Sequence, residues 1–300
     1  MTVNITDFTP IATSISSSVA LATAKLGEPR KSHSRFVGSI PKIYDTHLGP
    51  LLFEFAAADL AKRVAKAIPH GGKVLEVACG TGILTEHLSR ALPPASEIIA
   101  TDLNEAMLDF ARQRRGNLSN VTYQQADALE LPFSDASFDI VVCQFGLIFF
   151  PDKAKSIAEM TRVLRPGGLL TFNVWDCLNQ NIVAKIALET IAGFFETDPP
   201  GFLSVPFGYY DIDVIRDLLL DAGYGATSAN VVSATVERPN ALYPAMGFVE
   251  GNPGILQIRE RAIADLEEII AALAQAYDAA FGPAPLSFPL QEIIFSAVKP

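Results

Sequence analysis

Short apolar segments rich in β-branched residues alternate with longer amphipathic segments through the middle of the chain. Residues 73–78 form such an apolar run, which is typical of a buried strand and is followed by the glycine turn Cys79-Gly80-Thr81-Gly82. Strands separated by helices of this length predict a doubly wound, mostly parallel α/β sheet. Further strands are predicted at 97–101, 121–124, 138–144 and 169–175, with helices at 83–92, 104–115 and 153–164.

The segments on either side of this region are less regular. Helices are predicted at 51–68, 181–195 and 211–222, and strands at 227–238 and 290–298. The insertion between the last two strands carries an apolar stripe with helical spacing, which predicts burial against the sheet or in a lid, with a dimer contact as the alternative. Its members are Leu266, Ile269, Ile270, Leu273, Tyr277 and Phe281.

These patterns divide the chain into a mobile arm, a helical cover, a core, a helical lid insertion and a final strand. The expected ranges are 1–32, 33–70, 71–238, 239–289 and 290–300, respectively. The final strand is expected to complete a seven-stranded, Rossmann-like sheet.

The charge and composition indicate which partners, compartment and metal sites are expected. A formal net charge of −10 disfavours nucleic acids and anionic membrane surfaces. The basic residues Arg112, Arg114 and Arg115 end a predicted helix, where they would complement the helix dipole. The three cysteines form no CxxC pair and no metal-ligand cluster, which favours a reducing cytoplasm and predicts no metal site. No apolar run approaches the roughly 20 residues that a membrane span requires.

Candidate chemistry is concentrated where the predicted strands end, which is where open α/β sheets bind ligands. Glycines after the first strand allow backbone amides to approach a ligand, and the next helix presents its positive end. Asp102 ends the second strand and suits ribose hydroxyls, and Asp127 follows the third and suits an adenine amino group. Alternatively, both carboxylates cap the segments that follow. A nicotinamide-dependent oxidoreductase would require a third glycine, but Thr85 stands there.

The motifs together resemble those of the class I S-adenosylmethionine-dependent methyltransferases, in the small-molecule branch that includes the ubiquinone and menaquinone C-methyltransferases. The matching segments, in family order, are 74–82, 100–104, 125–133, 138–152 and 162–168. Ala78 departs from the pattern, because the family usually has glycine there. The resemblance implies S-adenosylmethionine as cofactor and S-adenosylhomocysteine as product.

The resemblance also implies a cofactor site. In it, Asp102 would hold the ribose, Asp127 with Ala128 would read the adenine edge, and Tyr44 would close over the sulfonium by a cation-π contact. Tyr44 and Met107 could instead be ordinary structural residues. The full set is Tyr44, Ala78, Gly80, Gly82, Asp102, Leu103, Met107, Asp127, Ala128, Gln144 and Phe145.

The acceptor is expected to be a small apolar or aromatic molecule. The chain has Gln144-Phe145-Gly146-Leu147 after the fourth strand instead of the Asn/Asp-Pro-Pro-aromatic signature of nucleic-acid and glutamine methyltransferases. Aromatic residues expected near the acceptor are Phe149, Trp175, Phe207, Tyr209 and Tyr210. His47 is the candidate general base, if the acceptor needs one.

The chain is therefore predicted to be an enzyme that acts as a monomer or a homodimer on a small molecule. Two alternatives remain at this point, a nicotinamide-dependent oxidoreductase and a catalytically silent module that binds the cofactor.

Overall fold

Seven strands form a single sheet in the computed structural model, which describes residue 36 and residues 38–261 and 264–300. The strand order is β3-β2-β1-β4-β5-β7-β6. β7 is antiparallel to both of its neighbours, β5 and β6, and the other pairs are parallel. The strands are β1 Lys73–Val77, β2 Glu97–Asp102, β3 Val121–Gln125, β4 Phe138–Gln144, β5 Leu164–Trp175, β6 Thr227–Arg238 and β7 Leu286–Val298.

Helices cover both faces of this sheet and form the segments before and after its parallel part. A π-helix spans Tyr44–Phe53, and short 3-10 helices span Leu147–Phe149 and Phe202–Ser204. The α-helices are α1 Ile40–Ile43, α2 Glu54–Ala67, α3 Ile83–Ala91, α4 Glu105–Arg115, α5 Lys153–Val163, α6 Ile182–Ala192, α7 Ile212–Asp221, α8 Leu242–Glu250, α9 Gly254–Arg261 and α10 Leu266–Phe281.

Local side chains fix where several helices begin. The Asn104 side chain accepts a hydrogen bond from the Ala106 amide at 3.0 Å and caps α4, directly after β2. Asp152 caps α5 in the same way, by accepting from the Lys155 amide at 2.9 Å. The cap at Asn104 keeps the connection after β2 to two residues, whereas the connection after β4 includes the 3-10 helix Leu147–Phe149.

The predicted fold class is confirmed, and two strand boundaries differ from the sequence prediction. β5 begins at Leu164 instead of 169, because the turn around Gly167 and Gly168 forms backbone hydrogen bonds with Lys299, beyond β7. β7 begins at Leu286 instead of 290, because β6 pairs with it along its whole length, as far as Arg238. The part of the insertion nearest the C-terminus, residues 286–289, is therefore strand.

The helix predicted at 51–68 is wrong at its start. Tyr44–Phe53 forms a π-helix, and α2 begins only at Glu54. Pro50 lies inside the π-helix, and because proline has no N–H it cannot continue a regular α-helical ladder. The expected arm, residues 1–32, lies outside the described residues, as do residues 33–35 of the cover.

The apolar stripe of α10 is buried within this chain. Ile269, Leu273 and Tyr277 are buried, and α10 packs against α8 and α6. The Tyr277 hydroxyl donates to the carbonyl oxygen of Val183 in α6 at 2.9 Å. The stripe therefore belongs to the core of this chain. In the described ranges no helix is long and apolar enough to cross a membrane.

Candidate functional site

A cleft opens at the carboxyl ends of β1 and β4, below the π-helix. Its empty volume is about 320 Å³. It is lined by Tyr44, Phe53, Glu76, Ala78, Cys79, Gly80, Thr81, Ile83, Leu84 and Gln144. Four of the predicted cofactor residues, Tyr44, Ala78, Gly80 and Gln144, are therefore brought together at one place.

The loop of residues 78–82, which we call the cofactor loop, has an unusual backbone. Ala78, Gly80 and Gly82 have φ values of 58°, 56° and 85°, in the left-handed region. A Cβ added at Gly82 would lie 3.1 Å from the Tyr123 hydroxyl and 3.2 Å from Arg115 Cδ, so both space and conformation favour glycine there. Ala78 adopts the same region without being glycine, at a cost on the order of 1–3 kcal/mol.

Asp102 joins the end of β2 to the cofactor loop. Its Oδ2 accepts a hydrogen bond from the Gly80 amide at 2.8 Å, and its Oδ1 accepts from the Asn104 amide at 2.8 Å. Burial raises the pKa of the Asp102 carboxyl, while the hydrogen bonds from Asn104 and Gly80 lower it. Each oxygen keeps a lone pair for a further donor, because a carboxylate oxygen can accept two hydrogen bonds.

Glu76 is a buried acid that the predicted site did not include. Its residue is 1% exposed, and its Oε2 accepts from the Thr85 hydroxyl at 2.6 Å. Burial raises the pKa of Glu76 to about 8, and the hydrogen bond from Thr85 opposes that shift. The sequence signal was an acid inside an apolar strand just before the glycine turn.

Two buried oxygen atoms in the cleft, Oγ1 of Thr81 and Oε1 of Gln144, have no hydrogen-bond partner among the described residues. A buried polar atom left without a partner costs about 1–3 kcal/mol. Both atoms belong to the cleft that Gly80 and Tyr44 also line, two residues that the resemblance assigns to the cofactor site, so the residues present fit a polar ligand there.

The π-helix covers the cleft with aromatic rings. Tyr44 stacks on Phe53 with 4.8 Å between ring centroids, and the Phe36 ring meets Tyr44 edge-on at 5.7 Å. Burial, together with the carboxylates of Asp102 and Asp45, raises the pKa of the Tyr44 hydroxyl far above its ordinary value. The phenol therefore stays protonated over the physiological pH range.

Arg115 fastens this cover to the cofactor loop. Its Nη1 donates to Asp45 Oδ1 at 2.9 Å and to the Thr81 carbonyl oxygen at 2.8 Å, and its Nε donates to Glu86 Oε2 at 2.9 Å. Arg115 lies in the last turn of α4, as the sequence predicts, but it is only 6% exposed and makes these further contacts. Its partners are distant in sequence, and no local pattern indicates them.

The residues predicted for the adenine side differ in exposure. Leu103 is 57% exposed, and Met107 is buried near Gly80. Asp127 is exposed and its Oδ1 accepts from the Leu129 amide at 2.8 Å, which is the capping role that the sequence left open. Ala128 is buried next to it.

The aromatic residues predicted for the acceptor occupy three different environments. Trp175 and Phe207 are buried in the core with 5.8 Å between their rings, and Phe145 stacks on Trp175 at 4.1 Å. Phe149 stacks on Phe202 at 5.9 Å. The two tyrosines lie further out.

Tyr209 and Tyr210 differ in their contacts. Lys153 Nζ lies 4.8 Å from the centroid of the Tyr209 ring, whereas Tyr210 is 42% exposed. His47 lies on the π-helix but not on the cleft lining, since its ring packs on Tyr243 of α8 at 4.4 Å. The His47 Nδ1 lies 3.2 Å from the Tyr243 carbonyl oxygen. In the part of the chain that the structure describes, no group of acids, cysteines and histidines could hold a metal ion.

Comparisons with known proteins agree with this geometry. Residues 74–168 match a family described as a methyltransferase domain. The chain is 35% identical over 192 residues to the ubiquinone/menaquinone biosynthesis C-methyltransferase of Idiomarina loihiensis, which covers 58% of this chain and 75% of that protein. It is 44% identical over 110 residues to the demethylmenaquinone methyltransferase of Staphylococcus carnosus, covering 36% of this chain and 46% of that one.

Solved structures share the fold. The YcgJ protein of Bacillus subtilis has a TM-score of 0.52 and 20% identity, covering 82% of this chain and 98% of that one. Phosphoethanolamine N-methyltransferase 2 of Haemonchus contortus, in complex with S-adenosyl-L-methionine, has a TM-score of 0.50 and 20% identity, covering 88% of this chain and 60% of that one.

The sheet with antiparallel β7 between β5 and β6, and the left-handed loop after β1, define a Rossmann-like methyltransferase fold. The chain belongs to the class I S-adenosylmethionine-dependent methyltransferases. The predicted family, enzyme class and cofactor are confirmed, and the nicotinamide-dependent alternative is not favoured.

Proposed function

We propose that this protein transfers a methyl group from S-adenosylmethionine to a small apolar or aromatic acceptor, with S-adenosylhomocysteine as the second product. The observation that carries the proposal is the cleft, in which Thr81 Oγ1 and Gln144 Oε1 are buried at the left-handed cofactor loop without a partner in the part of the chain that the structure describes. When bound, S-adenosylmethionine supplies a methyl group that is already activated on a sulfonium.

The cofactor loop would hold the methionyl part, and Asp102 would accept from the ribose hydroxyls with its remaining lone pairs. Leu103 and Met107 would flank the adenine, and Asp127 with Ala128 would meet its edge. The exposed position of Leu103 suits this assignment, because an apolar side chain at the rim gains burial when a flat ring lies on it.

The chain's own contribution to catalysis would be alignment and the exclusion of water. Tyr44 and Phe53 form an aromatic cover over the cleft, which keeps water from the reacting atoms. Holding two reactants in line can lower a barrier by about 7–11 kcal/mol. Residues 38–53 would therefore act as the cover of the active site, and α8 of the insertion packs against that cover.

The acceptor proposed here is flat and apolar. Phe145 stacks on Trp175 after the end of β4, and Phe149 stacks on Phe202 of the short helix at Phe202–Ser204. Aromatic side chains of this kind favour offset or edge-on contacts with an aromatic ring. The methyltransferases of Idiomarina loihiensis and Staphylococcus carnosus belong, by their names, to quinone biosynthesis, which agrees with such an acceptor.

His47 would act as a base only for an acceptor that must lose a proton. Its ring packs on Tyr243 of the insertion and lies off the cleft lining, so a role as base would need the acceptor to approach from that side. Replacing His47 by Gln and measuring kcat as a function of pH tests this role. An unchanged pH dependence of kcat would show that His47 only packs against Tyr243 and is not a base.

The proposal is tested by calorimetry with S-adenosylmethionine and S-adenosylhomocysteine, followed by a screen of phenolic, quinone-like and amine acceptors for the mass gain of one methyl group. We expect binding of both compounds and methylation of a planar acceptor. Binding without methylation of any acceptor would favour the catalytically silent module, and absence of binding would overturn the proposal.

We also propose that the protein is a monomer or a homodimer. We propose a reducing compartment such as the cytoplasm, because Cys79 and Cys143 are buried as free thiols. Light scattering on the purified protein tests the oligomeric state.

A further inference from the structure

A carboxyl group lies buried within the sheet, at Glu292 of β7. The residue is 0% exposed, and in the antiparallel register it stands opposite Trp175 of β5. A buried acid without hydrogen bonds is strongly destabilising, so its contacts indicate what it does. Its Oε2 accepts from Asn173 Nδ2 at 2.5 Å, and Asn173 is buried as well.

The other end of the Asn173 amide reaches the site. Its Oδ1 accepts from the backbone N–H of Phe145 at 3.0 Å, and the same N–H lies 3.2 Å from the Asn173 main-chain oxygen. Phe145 follows Gln144 at the carboxyl end of β4 and has a φ of 54°, in the left-handed region. A phenylalanine in this region costs about 1–3 kcal/mol and persists only where its surroundings hold it.

The carboxyl group decides which way the Asn173 amide points. A side-chain amide has an acceptor on one side and donors on the other, so it satisfies Phe145 only if its NH2 group faces away. Glu292 supplies the acceptor for that NH2 group. Without it, the amide could rotate and place its donors against the N–H of Phe145.

The position of Phe145 matters to the cleft. Its ring stacks on Trp175 at 4.1 Å with the two planes 4° apart, and it lies 5.9 Å from the ring of Phe53 in the cleft wall. Gln144, directly before it, carries the unpartnered Oε1 in the cleft. A shift of the backbone at Phe145 would therefore move both an aromatic wall and a polar atom of the site.

We propose that Glu292 is a positioning residue of the methyl-transfer site, which orients Asn173 so that Asn173 holds Phe145 in its left-handed conformation. The inference rests on the proposed function, since the cleft is the proposed active site. A neutral or an ionised carboxyl offers Asn173 an oxygen acceptor, so the hydrogen bond does not depend on ionisation. The expectation is that acceptor capacity at position 292, and not charge, is what the site requires.

The test compares Glu292→Gln, which keeps an acceptor oxygen, with Glu292→Met, which removes it at similar length. Thr171→Val is the matched control, because Thr171 is also buried in β5 and its hydroxyl donates to the Phe295 carbonyl oxygen of β7 at 3.0 Å, away from Phe145. The readouts are the fluorescence of Trp175, which is the single tryptophan of the chain, and the dissociation constant of S-adenosylhomocysteine.

We expect Glu292→Met to change the emission of Trp175 in the ligand-free protein and to weaken S-adenosylhomocysteine binding about tenfold, as for one lost hydrogen bond. Glu292→Gln should restore both, and Thr171→Val should change neither. If Glu292→Met and Thr171→Val behave alike in both readouts, the proposal is overturned. Because the emission is measured without ligand, it separates this outcome from a failure of the proposed function.

Hydrogen exchange on the unmodified protein keeps the test decisive if Glu292→Met does not fold. The Phe145 amide should exchange as slowly as the amides within β4. Exchange at the rate of an open amide would overturn the proposal, since Asn173 would then not be holding that N–H.

Discussion

Asp102 shows how one side chain can shape a ligand site before any ligand binds. Its two oxygens accept from the amides of Gly80 and Asn104, so the carboxylate fixes the cofactor loop relative to the start of α4. The sequence predicted Asp102 as a ligand residue from its place at the end of a strand. Its bond to Gly80 was not predictable, because it depends on how closely β1 and β2 lie in the sheet.

Replacing Asp102 by Asn should weaken S-adenosylhomocysteine binding about 10- to 100-fold, because the amide turns a donor toward the N–H of Gly80 or of Asn104, leaving one of these groups unsatisfied. Calorimetry measures the change. Asp109→Asn is the control, since Asp109 is exposed on α4 and pairs only with Arg112 in the described structure. Equal affinities for the two variants would contradict the role of Asp102.

The stability of the ligand-free protein should fall as the pH rises from about 5 to 8. Burial raises the pKa of Glu76 to about 8, so the folded protein holds a proton that the unfolded chain releases near its ordinary pKa of 4.5. The folded state binds more protons in this range, and its free energy of unfolding therefore decreases with pH. Glu292 adds to the same trend, because burial raises its pKa to about 7.

Glu76→Gln should flatten this pH dependence, since an amide can still accept from Thr85 but does not titrate. Urea unfolding at pH 5 and pH 8 measures the effect. Glu97→Gln is the control, because the Glu97 side chain is exposed at the start of β2. The same slope in Glu76→Gln and in the parent protein would show that Glu76 is not the titrating group.

Among the elements, the π-helix depends most on contacts with distant parts of the chain. It reaches the cofactor loop through Asp45, Arg115 and the carbonyl oxygen of Thr81. Asp45→Asn should lower the free energy of unfolding by about 1–3 kcal/mol, because it weakens a buried charge-assisted contact of Arg115. It should also speed the release of S-adenosylhomocysteine, since the cover then closes less firmly.

Stopped-flow dissociation and urea unfolding measure these two effects of Asp45→Asn. Glu105→Gln is the matched control, because it removes an exposed ion pair with Arg112 on the same helix α4, which is worth at most about 1 kcal/mol. If Asp45→Asn leaves the release rate as it is in the control, Arg115 does not hold the cover closed.

The elements of the parallel sheet were predictable because β1 and β4 are buried on both faces and therefore read as continuous apolar runs. The boundaries that differed, at Leu164 and Leu286, are set by backbone hydrogen bonds with Lys299 and with β6, which are distant in sequence. The π-helix was not predictable, since its apolar positions fit a regular helix equally well. Within the site, the cofactor loop was predictable because its residues are adjacent in sequence. Glu292 was not predictable, because it acts through Asn173 and Phe145, which are distant in sequence.

At the scale of the whole molecule, the insertion extends the core with the buried apolar side chains of α10. Leu273→Ala should lower the free energy of unfolding by about 2–5 kcal/mol, because it leaves a cavity where α10 packs against α8 and α6. Leu242→Ala is the control, since Leu242 is half exposed on α8. Urea unfolding and light scattering together measure stability and oligomeric state. A change in oligomeric state with little loss of stability would instead place this stripe at a dimer contact.

The position of β7 has a consequence for how the protein is made. β6 lies at the edge of the sheet and β7 is its neighbour there, yet roughly 50 residues separate the two strands, which at about 5–20 residues per second takes several seconds to synthesise. During that interval β5 and β6 have been synthesised, but neither can pair with β7. The nascent chain therefore leaves the β7-facing edges of β5 and β6 unpaired until β7 is synthesised and inserts between them.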